Sequence, residues 1–158
     1  MSRLATKALD NIYYKARISA SKNNENFTSR MNAASELKID RNRLNQIELD
    51  KVIPYQDEVM IMANKYNAPE LLNHYCSTQC PIGCKTVKQI ESYEIFQATV
   101  RLFGALSKSE KVIKEMTSIL SDGVISKDEE VKIDEVINDL DKIIENAEAL
   151  KLANQKRK

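Results

Sequence analysis

Residues 29–54, with the sequence SRMNAASELKIDRNRLNQIELDKVIP, constrain the fold of this chain more than any other segment. Their spacing predicts two short helices joined by a tight turn. The first helix has its apolar residues on one face, at Met31, Ala34 and Leu37, with Ala33 beside them. Ser29 can cap this helix, because its hydroxyl accepts a hydrogen bond from a free backbone amide. We therefore expect a helix of about two turns that buries this face.

Single residues also indicate where the turn between these two helices lies and where the second helix ends. Ile39 is apolar where a turn is usually polar, so we expect it to fill the corner between the two helices. Asp40 is the expected N-cap of the second helix. Pro54 cannot continue a helix and favours an extended residue before it, so the unit ends near residue 53.

The second helix is predicted to have two different faces. Its buried face contains the apolar residues Leu44 and Ile47, with Leu49 as a further candidate. Its outward face carries Arg41, Asn42, Arg43, Asn45 and Gln46. Arginine can pair with guanine, and asparagine or glutamine with adenine, through two hydrogen bonds each. This face predicts base contacts in a DNA major groove, and the alternative is a solvated helix surface.

These residues resemble the lambda-repressor-like, or Xre/Cro, helix-turn-helix family, and the resemblance covers about residues 10–75. The shared features are a small residue in the second helix, an apolar turn residue, a cap, an apolar-x-x-apolar-Glu run and a later proline, found here at Ala34, Ile39, Asp40, Leu44, Ile47, Glu48 and Pro54. The family usually has glycine where this chain has Asp50, which predicts a strained or differently shaped helix end.

The resemblance implies a five-helix domain that binds DNA. It implies structural roles for Arg17, Ala34, Ile39, Ile47 and Glu48, with Arg17 on a first helix at residues 10–22 and paired with Glu48. It implies DNA contacts by Arg30, Arg41, Asn42, Arg43, Asn45, Gln46 and Lys51. Of these, Arg30, Arg43 and Lys51 are expected to approach phosphates, while Arg41, Asn42 and Gln46 are expected to face bases.

Two further helices complete this predicted domain at residues 1–75. Residues 56–66 have Val59, Met62 and Ala63 inward, and the segment PELLNHYC begins with Pro69 at a first helical position. The charge distribution agrees with DNA binding. Residues 1–46 hold nine Lys/Arg against four Asp/Glu, a net of +5, whereas residues 87–150 hold eight against fourteen, a net of −6.

All three cysteines and the only histidine lie within residues 74–84. The C-x3-C-x3-C spacing differs from the C-x2-C pairs of common zinc sites. Pro81 and Gly83 are expected to break any helix there, which makes residues 76–86 a Cys-rich connector. We favour a structural role for the thiols. The alternatives are a zinc site from His74, Cys76, Cys80 and Cys84, or a redox pair of Cys76 and Cys80.

The remaining residues, 87–158, predict a C-terminal helical bundle or coiled-coil-like dimerisation region. Helices are expected at 87–106, 108–120 and 127–153, with capping boxes at Thr86/Gln89, Ser107/Glu110 and Ser126/Glu129. The expected buried residues are Ile90, Tyr93, Phe96, Val100, Phe103, Leu106, Val112, Ile113, Met116, Leu120, Ile133, Val136, Leu140, Ile143, Ala147 and Leu150, with Ile137 and Ile144 widening the last stripe. We favour a homodimer through residues 87–153 over packing within one chain.

Composition limits the function classes. The chain has three scattered glycines, one histidine and no nucleophile–base pattern, so we expect no enzyme and no cofactor, with zinc as the exception named above. It lacks an apolar run of 18 residues and an apolar leader in MSRLATKALDN, so we expect a cytoplasmic protein without a membrane partner. Residues 122–130 resemble part of a calcium loop, but a turn and helix cap explain them better.

The sequence as a whole therefore predicts an all-α, sequence-specific DNA-binding transcriptional regulator, as found in phages and bacteria, that acts as a repressor-type dimer on double-stranded DNA. The alternatives are a protein-interaction or antitoxin-like module with the same fold, or a metal- or thiol-sensing regulator that uses Cys76, Cys80 and Cys84.

Overall fold

The computed structural model describes residues 9–121 and 123–157, without the side chain of residue 128, and these residues form helices with no strand among them. The predicted all-α class is confirmed. The segment MSRLATKA and Asp122, the start of the rejected calcium loop, lie outside the described residues. The chain divides into two compact units, residues 1–89 and 90–158. The Cys-rich segment thus belongs to the first unit, and the division falls later than residue 75.

The first unit contains a succession of short helices. They are α1 (Ile12–Ala20), a 3₁₀ turn (Glu25–Phe27), α2 (Arg30–Leu37), α3 (Arg41–Glu48), α4 (Gln56–Lys65), α5 (Glu70–Thr78) and α6 (Gly83–Thr86). The expectation that Gly83 breaks any helix is wrong, because this residue begins α6. A Cβ atom at Gly83 would lie 2.1 Å from the carbonyl oxygen of Cys76, so only glycine allows α6 to pack on α5.

The core of the first unit is formed by one face of each helix, and its largest fully buried apolar residues are Tyr13, Leu37, Leu44, Ile47, Val59, Met62 and Leu71. Ile39 joins this cluster from the turn between α2 and α3. The expected burial of Met31 is wrong, since this side chain is 62% exposed. Arg30 lies three and four residues before the buried Ala33 and Ala34, so Arg30 takes the inward position instead.

The second unit consists of three longer helices. They are α7 (Ile95–Leu106), α8 (Ser109–Ile119) and α9 (Lys127–Gln155), and both α7 and α8 pack against α9. The predicted helix at 87–106 is therefore too long at its start. The capping boxes expected at Thr86/Gln89 and Ser107/Glu110 are wrong. No helix begins directly after Thr86, and α8 has Lys108 at its N-cap, while Ser107 ends α7. The Ser126/Glu129 box is confirmed, with the backbone amide of Ser126 donating to Glu129 Oε2 at 2.9 Å.

Burial in the second unit differs most from the predicted pattern. The apolar residues predicted to be inward but found exposed are Phe96, Val100, Phe103, Leu106, Ile113, Leu120, Ile137, Leu140 and Ile144. The apolar residues that are buried in this unit are Ala98, Val112, Ile119, Val136, Ala149, Leu152 and Ala153, and of these only Val112 and Val136 were predicted. Both α7 and α8 pack against α9, so only the sides of the helices that meet in these contacts are covered. Where an apolar stripe is wider than the covered side, its outer residues stay exposed. None of the helices in the described part of the chain has the length and apolar content needed to cross a membrane.

Candidate nucleic-acid interface

The local structure of α3 follows from its cap. The side chain of Asp40 accepts hydrogen bonds from the backbone amides of Asn42 and Arg43, at 2.9 and 3.0 Å. These are two of the four amides that a helix start leaves without a helical partner. The carboxylate also suits the positive end of the helix dipole. Asp40 therefore fixes where the helix starts and which residues occupy its first turn.

The outward face of α3 is polar and open to solvent. Arg41, Asn42 and Gln46 are exposed, and Asn45 is half-buried. On the opposite face Leu44, Ile47 and Glu48 are almost completely buried. Arg41, Asn42, Asn45 and Gln46 extend over one and a half turns, and only Asn45 is partly covered by the rest of the first unit. This surface can offer hydrogen bonds in both directions, from a guanidinium and from amide groups.

A buried carboxylate holds the other end of α3. Glu48 is 0% exposed and accepts from Arg17 Nε at 2.6 Å, from Arg17 Nη2 at 3.1 Å and from Arg30 Nε at 2.5 Å. The Arg17–Glu48 pair implied by the resemblance is thus present, and Arg30 adds a second cation to it. Charge-assisted, two-pronged hydrogen bonds of this kind fix orientation as well as distance.

This ion cluster links three parts of the first unit. Besides Glu48, Arg17 Nη1 donates to the carbonyl oxygens of Phe27 and Thr28 at 2.8 and 3.2 Å. Burial raises the pKa of Tyr66, and the charge of Glu48 adds to that rise. Because a buried charge is tolerated only when it is paired, the cluster strongly favours a single arrangement of α1, α2 and α3. The exposed face of α3 is consequently presented by a rigid support.

Arg43 has a different position from the predicted one. Its Nε and Nη2 donate to the two carboxylate oxygens of Glu58, the latter at 2.7 Å, and its guanidinium lies 3.9 Å from the ring centroid of Tyr55. The side chain is therefore directed at α4, away from the outward face expected for it. Glu58 also accepts from the Tyr55 amide at 2.6 Å. Sequence analysis missed both partners, although a glutamate three residues after a helix cap is a signal for this geometry.

The carboxyl end of α3 depends on Asn11, a residue that sequence analysis missed. Asp50 has the left-handed φ of 55°, and the amides of Asp50 and Lys51 donate back to Ile47 and Gln46, at 3.1 and 2.9 Å. This is the helix ending that glycine usually provides. The side-chain amide of Asn11 donates to the Asp50 carboxylate at 2.7 Å and to the Ile47 carbonyl at 2.9 Å. Asn11 thereby holds the strained residue in place and ties α1 to α3.

The remaining predicted phosphate ligands, Arg30 and Lys51, both lie near the carboxyl end of α3. Arg30 begins α2, and its Nε is held by Glu48, so its position is fixed. Lys51 is exposed directly after the helix end. Together with Arg41 these residues place positive charge at both edges of the outward face. This is the distribution that a polyanionic ligand such as a nucleic acid requires.

The cysteines do not form a recognisable metal centre. Cys76 and Cys80 are half-buried and Cys84 is exposed, and all three are free thiols. Within residues 9–121 and 123–157 no group of three or more potential ligands is close enough to hold a metal ion. His74 lies edge-on to Tyr13, with ring centroids 6.0 Å apart, and burial lowers its pKa. The fourfold set of His74, Cys76, Cys80 and Cys84 is therefore not assembled in this conformation.

The site thus combines an open polar helix face, a buried ionic support and flanking cations, which is an arrangement that can bind a polar, anionic ligand. Comparison of the chain with protein-family models, with curated proteins and with solved structures gives no match to any of them.

Proposed function

We propose that this protein is a sequence-specific DNA-binding transcriptional regulator of the lambda-repressor-like, helix-turn-helix type. In this proposal α2 and α3 form the helix-turn-helix, and α3 enters the major groove of double-stranded DNA. Arg41, Asn42 and Gln46 contact base edges, while Lys51 and Arg30 contact phosphates. The protein acts as a repressor-type dimer, so that two copies of α3 reach half-sites about one DNA turn apart.

One observation carries this proposal: the face of α3 that holds Arg41, Asn42 and Gln46 is exposed, while the reverse face is fixed by the buried Glu48. A helix that reads bases must present its polar side chains without covering them, and it must be held rigidly enough to keep its register. A helix that only covered the core would not require a fully buried carboxylate with two arginine partners.

The position of Arg43 refines the proposed set of contacts. Because its guanidinium is bound to Glu58 and stacked on Tyr55, we assign Arg43 to the support of the interface. The set of DNA-contacting residues is then smaller than the sequence suggested. The positive net charge of residues 1–46 still supports a non-specific contribution to affinity that decreases steeply with salt.

The test is a selection of binding sites from random DNA, followed by titration of variants on the selected site. We expect Arg41→Ala/Gln46→Ala to lose at least tenfold in affinity for that site and most of its preference over unrelated DNA. Lys22→Ala/Asn23→Ala is the matched control, because it removes the same charge and one amide from exposed positions after α1. It should retain sequence preference.

Unchanged affinity and preference in the Arg41→Ala/Gln46→Ala variant, with its circular dichroism intact, would contradict DNA reading by α3. That outcome would favour a protein-interaction or antitoxin-like module instead. Failure to select any DNA sequence would lead to the same conclusion.

Dimerisation in this proposal is supported by the second unit. Large apolar side chains stay exposed on all three of its helices, including Phe103 on α7, Ile113 on α8 and Ile144 on α9. Exposed apolar surface of this extent is typical of an interaction site. We propose that the part of this surface on α7 is covered by a second copy, since two linked readers gain affinity for paired half-sites.

A further inference from the structure

One side of α7 carries an exposed aromatic residue and, two turns further on, a glycine with open space beside it. Phe96 is 79% exposed, Val100 follows four residues later and is 54% exposed, and Gly104 follows after another four. A Cβ atom at Gly104 would meet no other atom within 4 Å. Glycine inside a helix lowers helix stability, so its presence usually has a packing reason. Nothing in the described part of the second unit supplies that reason.

A groove lies directly beside Gly104. It is open to solvent, has a volume of about 300 Å³ and runs between α7 and α9, where Arg101, Ala105 and Lys108 face Asp139, Lys142, Glu145 and Asn146. A cavity of about 150 Å³ holds benzene in another protein, so this groove has room for a phenyl ring. Its lining combines a small apolar floor with the long stems of charged side chains, which cover an aromatic ring well.

We propose that α7 is the dimer seam, in which a second copy of this chain lies antiparallel on α7 and inserts its Phe96 into the groove beside Gly104. The twofold axis passes near Val100. This proposal rests on the self-association that forms part of the proposed function, and it specifies the surface and register of that association.

The spacing along α7 is what identifies a second copy as the partner. Phe96 and Gly104 lie four residues before and four residues after Val100. An antiparallel copy related by a twofold axis at Val100 therefore places each Phe96 opposite the Gly104 of the other copy. Both insertions form at once, as an isologous interface requires. Residues four apart also form the ridge used in the commonest class of helix packing.

Charge supports the same register. Glu94 lies at the amino end of α7, and Lys108 lies just after its carboxyl end. In the antiparallel pair, the Glu94 of one copy comes close to the Lys108 of the other, and this happens twice. A parallel pair would instead bring like charges together at each end. Opposite charges at the rim of an interface fix its orientation more than its strength.

The first experiment measures the dimer dissociation constant of the full chain by sedimentation velocity. We expect a reversible dimer whose dissociation constant rises at least tenfold in Phe96→Ala and in Gly104→Leu. Leucine at position 104 favours a helix and has open space in the monomer, so this variant should fold while blocking the groove. Ile113→Ala removes an equally exposed apolar side chain from α8 and should stay within about twofold of the unchanged protein.

A charge exchange tests the register independently of packing. Glu94→Lys and Lys108→Glu should each weaken the dimer several-fold, and the double exchange should restore it. These two residues are at opposite ends of α7 in one chain, so restoration requires contact between copies. Absence of restoration would overturn the antiparallel register.

The results separate the seam from the DNA-binding function. A dimer that Gly104→Leu and Phe96→Ala leave unchanged would refute the α7 seam, and so would a chain that is monomeric at every concentration. In both cases the affinity of one α3 for a single half-site would remain, and Arg41→Ala/Gln46→Ala would still abolish its sequence preference. Loss of dimerisation with half-site affinity intact supports the seam.

Discussion

In the first unit Phe27 is 3% exposed and packs edge-on against Tyr66, whereas in the second unit Phe96 is 79% exposed. Charge follows the same division, since Glu48 is completely buried in the first unit while the ion pairs of the second unit lie at its surface. The first unit thus completes its packing within one chain. The second unit leaves large apolar side chains exposed, and this difference is the reason we propose association for that unit.

The largest expected effect is a difference in the free energy of unfolding between alanine variants of the two phenylalanines. Phe27→Ala should lower the free energy of unfolding by about 4 kcal/mol, because it leaves a cavity in a closed core. Phe96→Ala should change the stability of the monomer by less than about 0.5 kcal/mol, since its ring is in solvent. Urea unfolding at low protein concentration measures both. Equal losses would mean that the second unit is as closed as the first.

The next effect concerns buried charge. Glu48→Gln should lower the free energy of unfolding by about 3 kcal/mol, because it leaves two buried or half-buried arginines without their carboxylate. The comparison variant is Asp139→Asn, which breaks an exposed pair with Lys142 and should cost at most about 1 kcal/mol. Thermal unfolding followed by circular dichroism provides the values. A small effect of Glu48→Gln would remove the argument for a rigid support beneath α3.

Helix caps should show a smaller and equal effect in both units. Asp40→Ala removes the cap of α3, and Ser126→Ala removes half of the capping box of α9. Each should lower stability by about 1 kcal/mol, because a cap acts on its own helix end whatever the packing around it. Chemical denaturation of the two variants tests this. Clearly unequal losses would show that tertiary packing controls even these local contacts.

The smallest effect is a dependence on pH in the first unit. Burial lowers the pKa of His74 below the ordinary value of about 6.5, so the folded state binds a proton less readily than the unfolded state. The contribution of neutral His74 is present above pH 6.5 and is lost as the pH falls below it. Urea midpoints at pH 7 and 5.5 should therefore differ more for the unchanged protein than for His74→Gln. An identical pH response in both would contradict this role.

Local signals in the sequence were sufficient for much of the first unit. Asp40 caps α3 as expected, Leu44 and Ile47 are buried where the helical spacing placed them, and Ile39 is buried as the apolar turn residue. These features involve contacts over a few residues, which propensity and periodicity describe directly. The Arg17–Glu48 pair joins residues 31 positions apart, and it was reached only through a resemblance in sequence.

The predictions from sequence that were wrong have a common physical cause. Met31 and Phe103 are apolar residues at helical spacing, yet both are exposed, because spacing identifies a face without saying whether another element covers it. Arg43 could face solvent or α4, and Glu58 decided between the two. The failed capping boxes at Thr86 and Ser107 show that a cap pattern acts only directly before a helix start: no helix directly follows Thr86, and Lys108 takes the N-cap of α8 in place of Ser107.

The sequence by itself therefore determined the helical class, the start of α3 and the polar composition of its face, because these depend on local hydrogen bonds and side-chain periodicity. Only the tertiary structure decided which cations support that face and which stay exposed, and which apolar stripes remain uncovered. These outcomes depend on contacts between residues far apart in the chain, and burial of charge or apolar surface is settled only when such contacts form.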